Sequence, residues 1–202
     1  MTNNLQEFRE PFLEPILRRL RIGQVLPYLQ RYPQCRLLDV GCGWEAKLLR
    51  SVEEYIGFGV GIDFKAPQLR TDKLQTHAVS LSDRLPFDDQ SFDVVTMLAV
   101  LEHLDHPEAI LGEIARVLRP GGGLILTVPS HAAKPVLEFL AYRLRIVSAE
   151  EIRDHKRYYG RADLYDLIHE CTGLRIIKHN YFQMGFNNFV FAQKDPVGSG
   201  TS

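Results

Sequence analysis

The chain has 202 residues, 45% apolar and 24% charged, with 24 Lys and Arg set against 25 Asp and Glu for a formal charge of -1. This composition suits a globular domain with ample core and excludes a fibrous or disordered chain. Near-neutrality gives no overall pull toward nucleic acid or an acidic membrane, so an anionic partner must be met by a local patch.

No apolar run approaches the roughly 20 residues that span a bilayer, and the polar start Met1-Thr2-Asn3-Asn4-Leu5-Gln6 lacks the order of a secretory signal. A cytoplasmic chain without stable membrane insertion is expected. Cys35, Cys42 and Cys171 are odd in number and lack metal-ligand spacing, and the first two flank a strand too extended for them to bridge. Reduced thiols and no metal site follow.

In chain order, Phe8 to Tyr32 places Phe12, Leu13, Ile16, Leu17, Leu20 and Leu26 at helical spacing, interrupted by Pro15, Gly23 and Pro27. One or two helices covering the sheet are predicted. Arg36 to Val40 is a short apolar strand ending in Gly-Cys-Gly, followed by a helix from Glu45 to Glu53. Phe58 to Asp63 repeats the strand signal, His77 to Val79 repeats it weakly, and Phe92 to Met97 strongly. A helix from Pro107 to Leu118 stops at Arg119-Pro120-Gly121-Gly122, and Gly123 to Pro129 begins another strand. Helices at 133–144 and 161–171 precede two strands, 174–179 and 188–193, close enough to form an antiparallel pair.

Apolar strands alternating with helices require a parallel sheet covered on both faces. The fold class is therefore α/β, a single doubly wound Rossmann-like domain. A mostly parallel seven-stranded sheet with an antiparallel last strand carries helices on both faces behind an N-terminal cap helix. Residues 1–194 form the domain: 1–33 cap it, 34–130 form a cofactor-binding half, and 131–194 form a substrate-side half. Residues 195–202 are a disordered tail with nothing to bury.

In such sheets ligands bind beyond the carboxyl ends of the strands, at the switch point beside the first one. There the turn holds Asp39, Gly41, Cys42 and Gly43, and the glycines let backbone approach a ligand closely. Asp63 ends the second strand, where a carboxylate accepts both hydroxyls of a ribose. Together these features point to a nucleoside. Gly41-x-Gly43-x-x-Ala46 also satisfies the dinucleotide fingerprint, so an NAD(P)-dependent oxidoreductase is a rival. Asp39 would repel a pyrophosphate but suits a ligand bearing an ammonium and a sulfonium. No Tyr is followed four positions later by Lys, which removes the usual short-chain dehydrogenase acid-base pair.

Leu37-Leu38-Asp39-Val40-Gly41-Cys42-Gly43, Gly61-Ile62-Asp63, Leu85-Pro86-Phe87-Asp88-Asp89, Leu101-Glu102-His103-Leu104 and Leu118-Arg119-Pro120-Gly121-Gly122 stand in a characteristic order. In that order and spacing the chain resembles class I S-adenosylmethionine-dependent methyltransferases, in particular the small-molecule branch that includes quinone-biosynthesis methyltransferases. The resemblance implies S-adenosyl-L-methionine as cofactor and S-adenosyl-L-homocysteine as product. It places Asp39, Gly41, Cys42 and Gly43 at the methionine end, Asp63 on the ribose and Phe64 against the adenine. Ser82 meets the adenine edge, flanked by Leu81 and Asp83, and the Leu98 carbonyl faces the ammonium. One departure stands out: Glu45, beside Trp44, replaces a glycine usual in the family. Its side chain either crowds the cofactor or points outward from the helix start, where the dipole favours a carboxylate.

Methyl transfer from a sulfonium needs alignment more than a covalent nucleophile. Glu102 and His103, just past the fourth strand, are candidates for a base or for acceptor positioning, and also for local backbone capping. His155 and Tyr159 form a second candidate group, in the segment that faces the acceptor in the resembling families. Arg157 there could pair with an acceptor carboxylate or phosphate. The apolar faces of 12–17 and 135–144 suggest a small or lipid-like acceptor, and Arg18, Arg19, Arg21, Arg143 and Arg145 could draw in an anionic headgroup at a peripheral contact. The fourth strand leads into Met97-Leu98-Ala99-Val100 rather than the Asn/Asp-Pro-Pro-aromatic pattern of base methylation, and no basic, aromatic-interleaved stripe appears, so no nucleic-acid partner is expected. A third reading, a non-catalytic binding protein on this fold, rests on Glu45. Composition leaves the oligomeric state open.

Overall fold

The structure is a computed structural model, and it describes residues 14–81, 84–139 and 156–196. Chain order is α1 (Glu14–Leu29), β1 (Arg36–Val40), α2 (Lys47–Val52), β2 (Phe58–Asp63), β3 (Leu74–Ala78), β4 (Phe92–Leu98), α3 (Pro107–Val117), β5 (Leu118–Pro129), α4 (Ala133–Phe139), α5 (Arg161–Thr172), β6 (Arg175–Phe182) and β7 (Asn187–Gln193). The sheet has seven strands in the order β3-β2-β1-β4-β5-β7-β6. β1 to β5 pair in parallel, while β7 lies antiparallel to both β5 and β6. From β1 the chain moves outward to β2 and β3, then returns to β4 on the other side of β1. That reversal sets the ligand-binding crevice between the carboxyl ends of β1 and β4.

Side-chain alternation divides the core between the two sheet faces. Leu38, Val40, Val95, Met97, Leu124, Leu126 and Val190 pack with α3 and α5 through Ile110, Leu111, Ile114, Leu164 and Ile168. Leu37, Val94, Ile125, Phe189 and Phe191 face the other way, onto Val25 and Leu29 of α1 and Leu48, Leu49 and Val52 of α2. Gly61 is required where α2 meets the sheet, because a Cβ there would fall 2.8 Å from the Cys42 sulfur and from Leu49.

Several sequence expectations are revised. The N-terminal cover, expected as one or two helices, is one, running through Gly23 and Pro27. Pro15 sits in the first turn, where no N–H is needed, and Tyr28 stacks at 5.0 Å and 4.8 Å on Phe189 and Phe191, so tertiary packing outweighs the breakers at the other end. α2 begins at Lys47 rather than Glu45, because Ala46 takes a left-handed φ of 50°. β3 lies earlier than expected, anchored by buried Leu74 against Gly59. β5 starts at Leu118, directly after α3, so Arg119-Pro120-Gly121-Gly122 belongs to a strand whose pairing with β4 shifts register between Phe92 and Val94. The expected helix at 133–144 is described to Phe139, and the rest of it and most of the tail lie outside the described residues. Cys35, Cys42 and Cys171 are free thiols.

Candidate functional site

The turn after β1 is built by backbone chirality. Gly41 and Gly43 have φ of 79° and 69°, values that L side chains rarely adopt. Both turn amides at Gly41 and Cys42 donate to the Ile62 carbonyl of β2, at 2.8 Å and 3.1 Å. Gly41 is also sterically required, since a Cβ on it would lie 2.2 Å from a methyl of Val100. Ala99, with φ 57°, follows β4 and turns the chain into Val100 while its amide donates to the Thr127 carbonyl.

Two acids flank this turn. Asp39 is 3% exposed, and the Thr96 hydroxyl, directly across the β1–β4 register, donates to its Oδ1 at 2.7 Å. Burial pushes its carboxyl up to about 7, the Thr96 hydrogen bond opposes the rise and the nearby Asp63 charge adds to it. Asp63 ends β2, where its Oδ2 accepts the Gly43 amide at 3.1 Å and its Oδ1 the Lys65 amide at 2.8 Å. The carboxylate thereby straps the turn to the neighbouring strand and holds both oxygens at the crevice.

Past the strand tips lies a cavity of about 580 Å³, lined by Gly41, Asp63, Phe64, Lys65, Ser80, Leu81, Ala99, Val100, His103, Leu104 and Lys156. Its size is in the range for a small-molecule or cofactor site. The exposed Phe64 ring carries the Lys65 ammonium 4.9 Å from its centroid. Of the predicted residues, Gly41, Asp63, Phe64, Leu81 and His103 converge on this cavity. Asp39, Cys42 and Gly43 stand immediately behind it. Cys42 is a packing residue, its thiol pushed up to about 12 by burial and by the two acids. Leu98 is the last residue of β4 rather than just past it, and its successors Ala99 and Val100 line the space instead. Ser82, Asp83 and His155 lie outside the described residues. Lys65, Ser80, Ala99, Val100, Leu104 and Lys156 were missed. The positive φ of Gly41 offered a signal for Val100, because a glycine beside a strand tip implies something pressing on it.

Trp44 is 59% exposed with Lys47 5.7 Å from its ring, and the Glu45 carboxylate pairs with Lys47 at 2.5 Å. Neither residue lines the cavity. The cradle is left open to a ligand by both.

Leu101–His103 forms a single 3-10 turn, of which His103 lines the cavity and Glu102 does not. Glu102 is 1% exposed, its Oε2 makes no hydrogen bond among the described residues, and its backbone carbonyl accepts the Lys156 amide at 2.9 Å. Burial pushes this carboxyl up to about 7, against the opposing pull of its own backbone amide and of Arg21. Tyr159 is buried too. Its backbone is held by the Asn188 amide at 2.9 Å, and its hydroxyl makes no hydrogen bond of good geometry among the described residues, although the Arg157 guanidinium nearby draws its pKa down against the larger effect of burial. No cluster of three metal-ligating side chains occurs among the described residues.

A cavity at the switch point, an acid at the tip of β2 and a buried acid behind a glycine turn make a Rossmann-like site suited to a cationic ligand. The chain matches the methyltransferase domain family over residues 38–126. It is 30% identical over 167 residues to demethylmenaquinone methyltransferase of Staphylococcus saprophyticus, covering 76% of this chain and 70% of that one. It is 33% identical over 147 residues to 27-O-demethylrifamycin SV methyltransferase of Amycolatopsis mediterranei, covering 62% of this chain and spanning about half, 53%, of that enzyme. The fold superposes on an S-adenosylmethionine-dependent methyltransferase from Mesorhizobium loti with a TM-score of 0.64 at 14% identity, over 85% of this chain and 98% of that one. The chain belongs to the S-adenosylmethionine-dependent methyltransferase family.

The residues fit that cofactor. Asp39 and Asp63 put negative charge beside the turn, and Phe64 and Leu81 supply apolar surface. The dinucleotide alternative loses its support in the same geometry. Left-handed Ala46 delays the helix to Lys47, so the turn does not run straight into the helix N-terminus on which a pyrophosphate would sit. No helix among the described residues is long and apolar enough to cross a membrane.

Proposed function

We propose that the chain moves the methyl group of S-adenosylmethionine to an oxygen, nitrogen or carbon atom of a small or lipid-like acceptor by in-line displacement. The single observation that carries this reading is the pair of acids at one crevice, Asp39 and Asp63 at the tips of β1 and β2, beside the cavity past the strand tips. The cofactor supplies an activated methyl carbon, so the protein's task is to hold the acceptor in line and manage its proton.

In this reading Asp63 accepts the ribose hydroxyls and Phe64 and Leu81 flank the base, with Ser82 and Asp83 in the same loop. Gly41, Cys42 and Gly43 give the methionine end close backbone approach, while Asp39 balances its positive charge and the Leu98 carbonyl faces its ammonium. Glu102, raised toward neutrality by burial, takes the acceptor proton as general base. His103 positions the acceptor from the cavity wall, and Tyr159 and His155 are further groups that act on it. A quinone-like acceptor is favoured by the demethylmenaquinone relative, and an anionic or membrane-associated one would meet the arginines of α1.

Calorimetry tests the cofactor half of the reading: S-adenosylmethionine and S-adenosylhomocysteine bind with a Kd in the micromolar range while NAD and NADP give no heat. Transfer of labelled methyl into fractionated cell extract tests the other half and identifies the acceptor. Tight cofactor binding with no labelled product in any fraction would instead favour a non-catalytic binding role.

A further inference from the structure

Seven large apolar or aromatic side chains are exposed among the described residues, and their placement is uneven. Ile177 stands toward the amino end of the sheet, level with Ala192 and Leu124. The other six, Ile16, Leu20, Trp44, Phe64, Tyr181 and Met184, gather at the carboxyl rim where the ligand crevice opens. Trp44 lies in the turn after β1, and Phe64 directly follows β2. Tyr181 pairs with Asn188 near the end of β6, and Met184 is in the β6–β7 turn, which stands at the rim because Pro129 of β5 pairs with Asn187. α1 joins them there: the Gln183 side-chain amide of that turn donates to the Leu17 carbonyl at 3.0 Å, which holds the first turns of the helix, with Ile16 and Leu20, at the same rim.

Met184 is 91% exposed, and the fold holds it in that position. The Ser130 amide donates to the Phe186 carbonyl at 2.9 Å, the Ser130 hydroxyl to the Gly185 carbonyl at 2.7 Å and the Asn187 amide to Gln183 Oε1 at 2.5 Å. Gln183 and Met184 take left-handed φ of 50° and 57° within this fastened turn, a conformation that costs energy for residues other than glycine. Apolar side chains exposed singly are ordinary, but several at one rim mark a surface that meets a partner. Cations are interleaved with them. Arg18 and Arg19 sit between Ile16 and Leu20, the Lys47 ammonium lies 5.7 Å from the centroid of Trp44, and that of Lys65 lies 4.9 Å from the centroid of Phe64. Acids of the same rim are paired, Glu45 with Lys47, Asp105 with Lys156 and Asp163 with His131, whereas Arg19 and Lys65 pair with no carboxylate among the described residues.

We propose that the carboxyl rim docks on an anionic lipid surface, with Met184, Trp44 and the first turns of α1 entering the headgroup layer and the crevice mouth facing the bilayer. Apolar tips alternating with Lys and Arg suit a lipid–water interface, where the tips reach the acyl boundary and the cations meet anionic headgroups. A folded protein partner would call for a continuous, closely packed patch. Here the tips are spread over about 20 Å of rim between β2 and β7, around an opening, and a fluid surface accepts such tips one by one. The docking follows from the rim alone, while its use, entry of an acceptor from the apolar phase, rests on the lipid-like acceptor proposed for this site.

The test needs no identified acceptor. Full-length protein is sedimented with vesicles of equimolar phosphatidylcholine and phosphatidylglycerol and, separately, of phosphatidylcholine alone. It should bind the first, less so as salt is added, and bind the second about tenfold or more weakly. Trp44 is the only tryptophan of the chain, so its emission should shift to the blue on binding and be quenched by lipid brominated in the acyl chain. Met184→Glu and Arg19→Glu should each lower partitioning by about tenfold and still bind S-adenosylhomocysteine as wild type does. Ile177→Glu, which adds the same charge away from the rim, should leave partitioning near wild type. The proposal fails if anionic vesicles at low salt bind no protein, if Ile177→Glu weakens binding as much as Met184→Glu, or if Trp44 stays in water while the protein is bound. Self-association lost in Met184→Glu, without vesicle binding, would make a second copy the occupant and overturn the proposal as well. Rim docking with no labelled methyl entering any lipid-soluble fraction would sink the lipid-like acceptor and leave the docking standing, and lipid methylation without vesicle binding would do the reverse.

Discussion

Asp39 is the residue whose loss separates stability from function most sharply. Its carboxyl rises from 3.8 to about 7 because burial strips its water, and the Thr96 hydroxyl only partly offsets that loss. In Asp39→Asn the amide oxygen still accepts the Thr96 hydroxyl, so shape and hydrogen bond survive while the charge disappears. For a group whose folded pKa is raised, the folded state holds more protons than the unfolded state between the two pKa values, so wild-type stability falls as pH rises from about 4 to about 7 and is flat beyond. The full interval corresponds to at most about 4 kcal/mol. Thermal unfolding of the ligand-free proteins should therefore show little difference near pH 4, and at pH 8 a variant more stable by up to that amount, or roughly 8 to 16 °C in Tm for a chain of this size. Cofactor affinity should move the other way, weakening most at pH 8, where wild-type Asp39 is ionised opposite a cation. Equal Tm differences at both pH values would refute the argument, because they would mean that Asp39 carries no buried charge.

Other substitutions probe separate parts of the site. Asp63→Ala should cost about 1–3 kcal/mol of S-adenosylmethionine affinity by calorimetry, through stranded ribose hydroxyls and through release of the Gly43 and Lys65 amides it now accepts. Gly41→Ala should lose soluble folded protein or cofactor binding, since its Cβ meets Val100 at 2.2 Å on a backbone with φ 79°; a variant with wild-type Tm and affinity would show that the turn relaxes freely. Glu102→Gln should leave S-adenosylhomocysteine binding intact and lower turnover by about 10²- to 10⁴-fold, and wild-type turnover should rise with pH through about 7, as the raised carboxyl ionises. Glu45→Gly should change cofactor affinity less than twofold, because the carboxylate it removes pairs with Lys47 away from the cavity.

The sequence patterns carried most of the architecture because apolar periodicity is set by which faces are buried. β1, β2 and α3 appear within a residue or so of their expected ends, and Asp39, Gly41 and Asp63 stand where strand-tip logic puts them. Elements stay open or shift where long-range packing decides a local question. Nothing within Phe8 to Tyr32 reveals that the ring of Tyr28 will rest on Phe189 and Phe191, and that contact holds the helix together through Gly23 and Pro27. Likewise β3 is an edge strand with one deeply buried anchor, Leu74, so its alternation is weak and its limits come from pairing with β2. Lys156 reaches the cavity across a separation of more than 50 residues from His103, its backbone N–H donating a hydrogen bond to the Glu102 carbonyl. No local motif records such a contact.

Asp39 and Glu102 share a property found at no other carboxyl among the described residues. Both are carboxyls almost without solvent contact, both are raised to about 7 chiefly by burial, and both lie at the carboxyl rim, one behind the glycine turn and the other past β4. Each makes the ligand-free fold less stable above pH 4 than a neutral isostere would. The carboxylates that stiffen the scaffold behave in the opposite way: Glu113, close to the Arg116 guanidinium and the Leu85 amide, is held below the usual carboxylate range. The fold thus gives Glu113 a guanidinium and an amide, while for Asp39 and Glu102 burial outweighs the hydrogen bonds they receive. That is the pattern expected where charge is reserved for a cationic cofactor and for an acceptor's proton.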